Sequence, residues 1–330
     1  MKPATEITEF PNGSMALPPR VDRAARMGLV NEIEITHTAT AAAIPTRLRD
    51  FYELTKPRMN LLVVITTLVG FYMATRTGSA VNWLLLANTI FGTALTAAGA
   101  SVLNQYVERD LDRHMPRTAN RPLPTGRILP IEALLLGVLF GVGGVLYLTV
   151  FVNSLTALLG AATLASYVWV YTPMKRWTTL CTIVGAVPGA IPPMMGYSAL
   201  HNSISIEAMA MFGILFLWQM PHFLAIAVMY KDDYTAGGFK MLPCVDPDLS
   251  ATGRQIIVYS LALIPMTLMP FGFRMAGIGY LAAAIVLGGV FLTYGILAAI
   301  RRTREDARKL FFVSIIYLPL LLGTLMIDKI

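Results

Sequence analysis

Long, uninterrupted apolar runs dominate the chain from about residue 59 to its C-terminus. Nine of these runs are long enough to cross about 30 Å of hydrocarbon as a helix. They occupy approximately residues 59–75, 83–104, 128–151, 155–171, 179–200, 207–229, 255–273, 277–300 and 310–327. The runs do not alternate with polar residues, which excludes a closed transmembrane β-barrel. The pattern therefore predicts an all-α polytopic membrane protein with nine transmembrane helices.

Residues 1–50 differ from the rest of the chain because they contain no apolar span. Prolines and acidic residues are scattered through them, so the segment is not acid-poor in the way that a transit peptide is. We expect a poorly ordered cytoplasmic extension over residues 1–50 and a membrane domain over residues 51–330. A short surface helix is predicted near Pro45–Leu54.

Composition supports a membrane protein and excludes several other classes. Of the 330 residues, 55% are hydrophobic and only 14% are charged, against about 25% charged in soluble domains. Cys181 and Cys244 give neither a disulfide framework nor a metal-binding spacing. The net charge of +7 would be compatible with a nucleic-acid partner if the positive residues were clustered on a soluble surface.

The distribution of that charge instead predicts how the chain crosses the membrane. Nineteen Lys and Arg residues lie near the membrane on the side of the N-terminus, and three lie on the other side. The positive-inside rule then places the N-terminus and the loops after spans two, four, six and eight in the cytoplasm. We therefore expect no nucleic-acid partner, and we expect the function to reside on the cytoplasmic side.

The loop after the second span begins with an acidic motif. Asn104, Glu108 and Asp112 recur at every fourth residue, so on a helix they cover an arc of about 80°. Three oxygen-bearing side chains on one face suit a hard divalent cation. Arg117 and Arg121 follow in an irregular segment and suit phosphate oxygens. A solvated loop rich in positive charge would explain the arginines but not the acidic spacing.

Two further loops offer partners for this motif. After the sixth span, only one of Asp232 and Asp233 can face the site, and Asp233 is the predicted ligand. After the fourth span, Lys175 and Arg176 can bind phosphate. For the loop after the sixth span, the alternative without a ligand is a helix C-terminus ended by glycines. For the loop after the fourth span, it is a positively charged cytoplasmic loop that determines topology only. The predicted metal ligands are Asn104, Glu108, Asp112 and Asp233, and the predicted diphosphate-binding residues are Arg117, Arg121, Lys175 and Arg176.

Two features within the spans point to a chamber for an apolar substrate. His222 lies inside the sixth span, where an ionisable residue is either functional or hydrogen-bonded to a neighbouring helix. The segment Pro188–Pro193 predicts a broken or kinked fifth helix, which is tolerated where it faces protein or a cavity. A metal–diphosphate clamp above an apolar chamber favours prenyl transfer, in which aromatic faces stabilise an allylic cation.

At this point the motifs resemble those of the UbiA-type membrane prenyltransferases and, within them, the heme O synthases. Asn104, Glu108 and Asp112 match the pattern Asn-x3-Asp/Glu-x3-Asp, and Tyr171 with Lys175 matches Tyr-x3-Lys. The resemblance covers roughly residues 50–327 and extends to several further stretches. These are Leu54–Arg58, Met115–Thr118, Arg121–Leu123, Pro192–Gly196, Gln219–Phe223, Asp232–Tyr234 and Met241–Pro243.

The resemblance implies nine helices around a central chamber, Mg²⁺ as cofactor, and farnesyl diphosphate and heme B as substrates. It implies heme O as product and His222 as a heme-binding residue, at either the iron or a propionate. The expected location is a bacterial inner membrane, with membrane lipid around the chain and with the active site on the cytoplasmic side. The product would go to a terminal oxidase or to a heme A synthase.

The second motif departs from the broader family, where Asp-x3-Asp is usual, because Gly237 stands four residues after Asp233. This puts a two-ion site in doubt. Three rival functions remain open at this stage: a prenyltransferase for an aromatic quinone precursor, a transporter of an anionic amphiphile and an assembly factor for an oxidase. Transport or assembly would not require a carboxylate-bound metal, so these two rivals predict that Asp112→Asn has little effect.

Overall fold

The computed structural model describes residues 47–330. The predicted extension over residues 1–50 lies almost wholly outside the described residues and stays a prediction. The described part opens with a helix at Arg47–Leu54, where a short helix is expected from the sequence. Within residues 47–330 the only β-bridge is an isolated antiparallel pairing between Ala276 and Lys329.

Nine helices among the described residues are long and apolar enough to cross a membrane, which confirms the predicted class and number of spans. We number these nine helices in chain order. They are α1 Pro57–Ala74, α2 Trp83–Asp112, α3 Pro130–Phe151, α4 Ser154–Met174, α5 Cys181–His201, α6 Ile206–Met229, α7 Ser250–Gly272, α8 Ile278–Arg301 and α9 Arg304–Ile327.

Several helices extend beyond the apolar runs into charged sequence. Helix α2 continues to Asp112, α7 begins at Ser250 and α9 begins at Arg304. Hydropathy marks only the part of a helix that crosses lipid, whereas backbone hydrogen bonding continues through polar residues. With 30 residues, α2 is about 45 Å long, which exceeds the roughly 30 Å hydrocarbon core.

The nine helices form a ring in which consecutive helices pack together and α9 contacts α1. Large apolar side chains cover the outside of the ring, for example Leu84 and Leu139, which are 74% and 66% exposed. Such an outer surface suits contact with lipid chains. We call the end where α2, α4, α6 and α8 finish the motif end. The other end is the opposite end.

Helix α5 is interrupted at Ile191, between Cys181–Ala190 and Pro192–His201. Prolines remove backbone donors and clash with the preceding turn, so the predicted break is confirmed. The second half of α5 crosses α1 at very short range. A Cβ atom on Gly196 would collide with the carbonyl oxygen of Thr67. Glycine is therefore required there by a backbone-to-backbone approach.

The C-terminal residues join three helices at the opposite end. Lys329 Nζ donates to the Tyr72 carbonyl oxygen at 2.7 Å, and also to the carbonyl and hydroxyl oxygens of Thr75. The carboxylate of Asp328 accepts from the backbone N–H of Tyr280 at 2.7 Å, at the start of α8. These contacts tie α9 to α1 and α8 through acceptors that are mainly backbone groups.

Candidate active site

The acidic motif lies on the buried face of α2. Asn104, Glu108 and Asp112 are only 1%, 5% and 1% exposed, whereas the side chain of Asp110, between them, is 67% exposed. A spacing of four residues stacks side chains along one face of a helix. The structure therefore brings the three oxygen-bearing side chains of the first motif together at the motif end.

Two basic side chains neutralise the carboxylates of this motif. Lys175 Nζ donates to Glu108 Oε1 at 2.7 Å, and Arg121 Nη1 donates to Asp112 Oδ2 at 2.8 Å. Burial lowers the pKa of Lys175, but the neighbouring Glu108 carboxylate outweighs that effect and raises the pKa well above its usual value. Two of the predicted diphosphate-binding residues thus lie directly beside two predicted metal ligands, and both carry positive charge.

A π-helical turn at the end of α4 places Lys175 against the motif. The turn spans Ser166–Tyr171, and the backbone N–H of Thr172 donates to the carbonyl oxygen of Tyr167. Pro173 follows directly and has no N–H of its own to donate. Insertions of this kind rotate the residues that follow relative to a regular helix, and they are frequent at functional sites.

Thr172 also orients the amide of Asn104. Its hydroxyl donates to the Tyr167 carbonyl at 2.8 Å and accepts from Asn104 Nδ2 at 3.1 Å. A hydroxyl with its single proton already donated must accept in the second bond. The Asn104 oxygen therefore faces away from Thr172, and Lys56 Nζ donates to it at 2.9 Å. This is the orientation in which the amide oxygen can serve as a ligand.

Lys56 also lies at this candidate site, although the sequence analysis placed it only among the topology-determining charges and in the Leu54–Arg58 stretch of the resemblance. Burial, together with the nearby positive charge of Arg121, lowers the pKa of Lys56 to about 7. Its φ of 48° lies in the left-handed region, at the turn between Arg47–Leu54 and α1. Gln105 Nε2 holds this turn by donating to the Leu54 carbonyl at 2.7 Å. Lys56 and Asn104 are 48 residues apart in the sequence, so no local sequence pattern predicts their contact.

The loop after α6 reaches the site through its tyrosines. The Arg117 guanidinium lies 4.9 Å from the Tyr230 ring centroid and 5.5 Å from that of Tyr234. Within the described residues, the side chains of half-buried Asp233 and exposed Arg176 form no hydrogen bond or ion pair. Their predicted roles as metal ligand and phosphate-binding residue stay predictions.

The donor set of the motif fits a magnesium ion. Two carboxylates and one amide oxygen share a buried face, and each already accepts from a lysine or an arginine. Mg²⁺ is usually held by one or two carboxylates together with water and substrate phosphates. Among residues 47–330 no three His, Cys, Asp or Glu side chains form a ready metal cluster. Phosphate oxygens would therefore have to complete the coordination.

His222 lies apart from the motif, on α6. It is seven residues before the end of that helix at Met229, or about 10 Å along the axis. Its imidazole is stacked between the rings of Trp218 and Phe311, with centroid distances of 5.0 and 5.1 Å. Its Nδ1 lies 2.7 Å from the hydroxyl of Ser314 on α9. The sequence analysis did not identify this serine.

Comparison with known proteins identifies the family of this chain. The model of the UbiA prenyltransferase family matches residues 63–316. The chain belongs to the UbiA prenyltransferase family. Among its relatives, a protoheme IX farnesyltransferase of Solibacter usitatus is 46% identical over 86% of this chain and 99% of that protein. One of Myxococcus xanthus is 44% identical over 88% of this chain and 98% of that protein.

Solved structures confirm the UbiA fold. A digeranylgeranylglyceryl phosphate synthase aligns with a TM-score of 0.70 at 15% identity, over 86% of this chain and 98% of the other. A UbiA homologue of Archaeoglobus fulgidus, bound to DMAPP and Mg²⁺, aligns with a TM-score of 0.60 at 16% identity, over 84% of this chain and 99% of that one. This UbiA-family chain is therefore an integral membrane prenyltransferase.

Proposed function

We propose that this chain transfers the farnesyl group of farnesyl diphosphate to a vinyl group of heme B, forming heme O and diphosphate. The observation that carries the choice of substrates is the near full-length similarity to protoheme IX farnesyltransferases. The motif end supports the diphosphate half of the reaction, because carboxylates and basic side chains lie there within hydrogen-bonding distance.

The first step requires that diphosphate become a good leaving group. Asn104, Glu108 and Asp112 would hold Mg²⁺, with Asp233 as a further ligand. When bound, Mg²⁺ would neutralise charge that develops on the diphosphate oxygens. Arg121 and Lys175 would then exchange their carboxylate partners for these oxygens, with Arg117 and Arg176 closing the site from the outside.

The second step joins the two substrates. The bond between C1 of the farnesyl group and oxygen breaks, and its electron pair leaves with diphosphate. The π electrons of the heme vinyl group form the new carbon–carbon bond to the allylic cation. Water adds to the resulting carbocation and loses a proton, giving a hydroxyethylfarnesyl group. No oxidant is needed.

Aromatic rings next to the clamp are suited to the cationic intermediate. Tyr167 and Tyr171 have ring centroids 5.3 Å apart, and Lys175 Nζ lies 4.5 Å from the Tyr171 centroid. A ring face that already accommodates an ammonium group can stabilise an allylic cation without reacting with it. We assign heme binding to His222, which lies deeper in the bundle.

Orientation and cellular setting belong to the same proposal. The excess of Lys and Arg at the motif end supports a cytoplasmic active site in a bacterial inner membrane. Both substrates have large apolar parts, so access from the surrounding lipid is consistent with the apolar outer surface. Heme O would then pass to a terminal oxidase or to a heme A synthase.

The test is a reaction with purified protein in lipid nanodiscs, heme B, farnesyl diphosphate and Mg²⁺, followed by liquid chromatography and mass spectrometry. We expect a heme product with the mass of heme B plus a farnesyl group and a hydroxyl group, and none after chelation of Mg²⁺. Prenylation of an aromatic quinone precursor without any heme product would favour the alternative function. Failure to prenylate either acceptor would contradict the proposed function.

A further inference from the structure

The contact between His222 and Ser314 determines which imidazole nitrogen carries the proton. Ser314 Oγ donates to the Phe311 carbonyl oxygen at 2.5 Å, within α9. A serine hydroxyl has one proton to donate, and a carbonyl oxygen can only accept. The 2.7 Å contact with His222 Nδ1 must then have the nitrogen as donor and Oγ as acceptor. The imidazole is therefore protonated at Nδ1.

The surroundings of His222 favour a neutral ring. Trp218 and Phe311 cover its two faces, and no ion pair among residues 47–330 involves it. A charged imidazolium without an acidic partner would be costly within a membrane helix. With its proton on Nδ1, a neutral ring has an unprotonated Nε2, for which the described residues supply no hydrogen-bond donor.

Two hydrogen bonds between α6 and α9 hold this ring in place. Trp218 Nε1 donates to the Ser314 carbonyl oxygen at 2.9 Å, while His222 donates to the Ser314 hydroxyl. Trp218 and His222 are one turn apart on α6, so a single residue of α9 orients both side chains. Because the ring is stacked on both faces as well, its plane and its Nε2 direction are fixed by tertiary contacts.

We infer that Ser314 is a positioning residue that keeps His222 in the Nδ1–H tautomer so that Nε2 ligates the iron of the heme substrate. This inference rests on the proposed function. An unprotonated Nε2 is an acceptor, and ionised heme propionates are acceptors too, so the two are not complementary. Heme iron is complementary, because neutral imidazole nitrogen is a common iron ligand. Ligating histidines generally donate their second N–H to a neighbouring acceptor.

The tautomer can be measured without any substrate. We would label the four histidines of the chain with ¹⁵N and record their nitrogen shifts in the heme-free protein, assigning His222 with His222→Ala. We expect His222 protonated at Nδ1. His201 provides an internal control, since its Nε2 lies 2.9 Å from the Ala74 carbonyl and must donate. A wild-type His222 protonated at Nε2 would overturn the inference.

Variants of Ser314 test its role in heme binding. Ser314→Ala should shift His222 away from the Nδ1–H tautomer and weaken ferric heme binding by about 10–100-fold, the usual effect of removing such a partner. The absorption spectrum should also lose its imidazole-ligated features. Ser314→Thr retains a hydroxyl and should restore both. Ser260→Ala removes another buried helical hydroxyl, one without a partner in the described residues, and should bind heme normally.

The outcomes separate this inference from the proposed function. If wild-type protein makes heme O and Ser314→Ala binds heme with unchanged affinity and spectrum, the role of Ser314 is refuted while the function stands. If wild-type protein neither binds nor prenylates heme B, the proposed function fails and iron ligation fails with it. If Ser314→Ala binds farnesyl diphosphate with the same affinity as the wild-type protein, the variant is folded.

Discussion

The two ends of the helix bundle use the same kind of residue for different purposes. At the motif end, Lys175 donates to the buried carboxylate of Glu108. At the opposite end, Lys329 donates to the oxygens of Tyr72 and Thr75. The acceptor at the motif end is therefore a negatively charged group that could also bind a metal ion, whereas the acceptors at the opposite end are neutral oxygens in contacts that join helices. The comparison indicates that the proposed active end is distinguished by its buried charge pairs, which the contacts of Lys329 at the opposite end do not include.

Electrostatics reinforces this difference. The Glu108 carboxylate raises the pKa of Lys175, whereas burial among neutral groups lowers the pKa of Lys329. Lys175 therefore stays protonated across physiological pH, as its proposed role in binding diphosphate requires. Mutations that remove one kind of contact or the other should separate activity from stability.

The largest effect is expected from Asp112→Asn, which removes a predicted metal ligand and the anionic partner of Arg121. Prenyl transfer should fall by about 100–1,000-fold, the range for loss of one electrostatic contact to a transition state. Asp110→Asn is the matched control, because its side chain is exposed on the same helix. The rate of heme product formation by monodisperse protein would be measured by mass spectrometry. Comparable rates for both variants would refute the assignment of the motif.

A smaller loss is expected from Lys175→Gln, which removes a charged donor at the motif end. Binding of farnesyl diphosphate should weaken by about 10–100-fold, since hydrogen bonds to charged groups contribute about 1.5–3 kcal/mol. Isothermal titration calorimetry in the presence of Mg²⁺ would measure this. Lys329→Gln should leave the affinity unchanged, and equal weakening in the two variants would contradict the distinction between the two ends.

Packing at the crossing of α1 and α5 should affect stability and leave the chemistry intact. Gly196→Ala forces a methyl group against the backbone of Thr67, which cannot move aside without displacing the helix. We expect a loss of about 2–3 kcal/mol in the free energy of unfolding. Denaturant titration in detergent would measure it. Gly289→Ala is the control because no atom lies within 4 Å of the added Cβ. Equal free energies of unfolding for Gly196→Ala and Gly289→Ala would show that α1 and α5 can move apart at little cost.

The smallest effect is expected from Lys329→Gln on stability. Loss of its contacts with α1 should cost about 1 kcal/mol and lower the thermal midpoint by about 2–4 °C. Lys309→Gln is the control, because the half-exposed Lys309 loses only a pair with Glu305 and a 4.0 Å pair with Asp306, both within its own helix. Such pairs contribute little to stability, so the midpoint should not change measurably. A midpoint for Lys329→Gln equal to that of wild type would mean that the C-terminal contacts are dispensable.

Much of the architecture and part of the site could be predicted from the sequence. The nine spans follow from hydropathy because lipid selects long apolar helices. The shared face of Asn104, Glu108 and Asp112 follows from a four-residue spacing, since helical geometry is local. The break near Ile191 follows from the prolines beside it, which act on their own turn. In each of these cases neighbouring residues contain the whole physical cause.

Tertiary packing alone decided which distant side chains meet. Lys56 and Asn104 are 48 residues apart, and His222 and Ser314 are 92 apart, so no spacing rule links either pair. The contact between Thr172, which follows the π-turn, and Asn104 likewise joins α4 to α2 across 68 residues. The sequence by itself therefore determined the spans and the acidic face of α2. Only the packed bundle decided the hydrogen-bond partners of the predicted metal ligands and the inferred protonated nitrogen of His222, because both depend on contacts between helices.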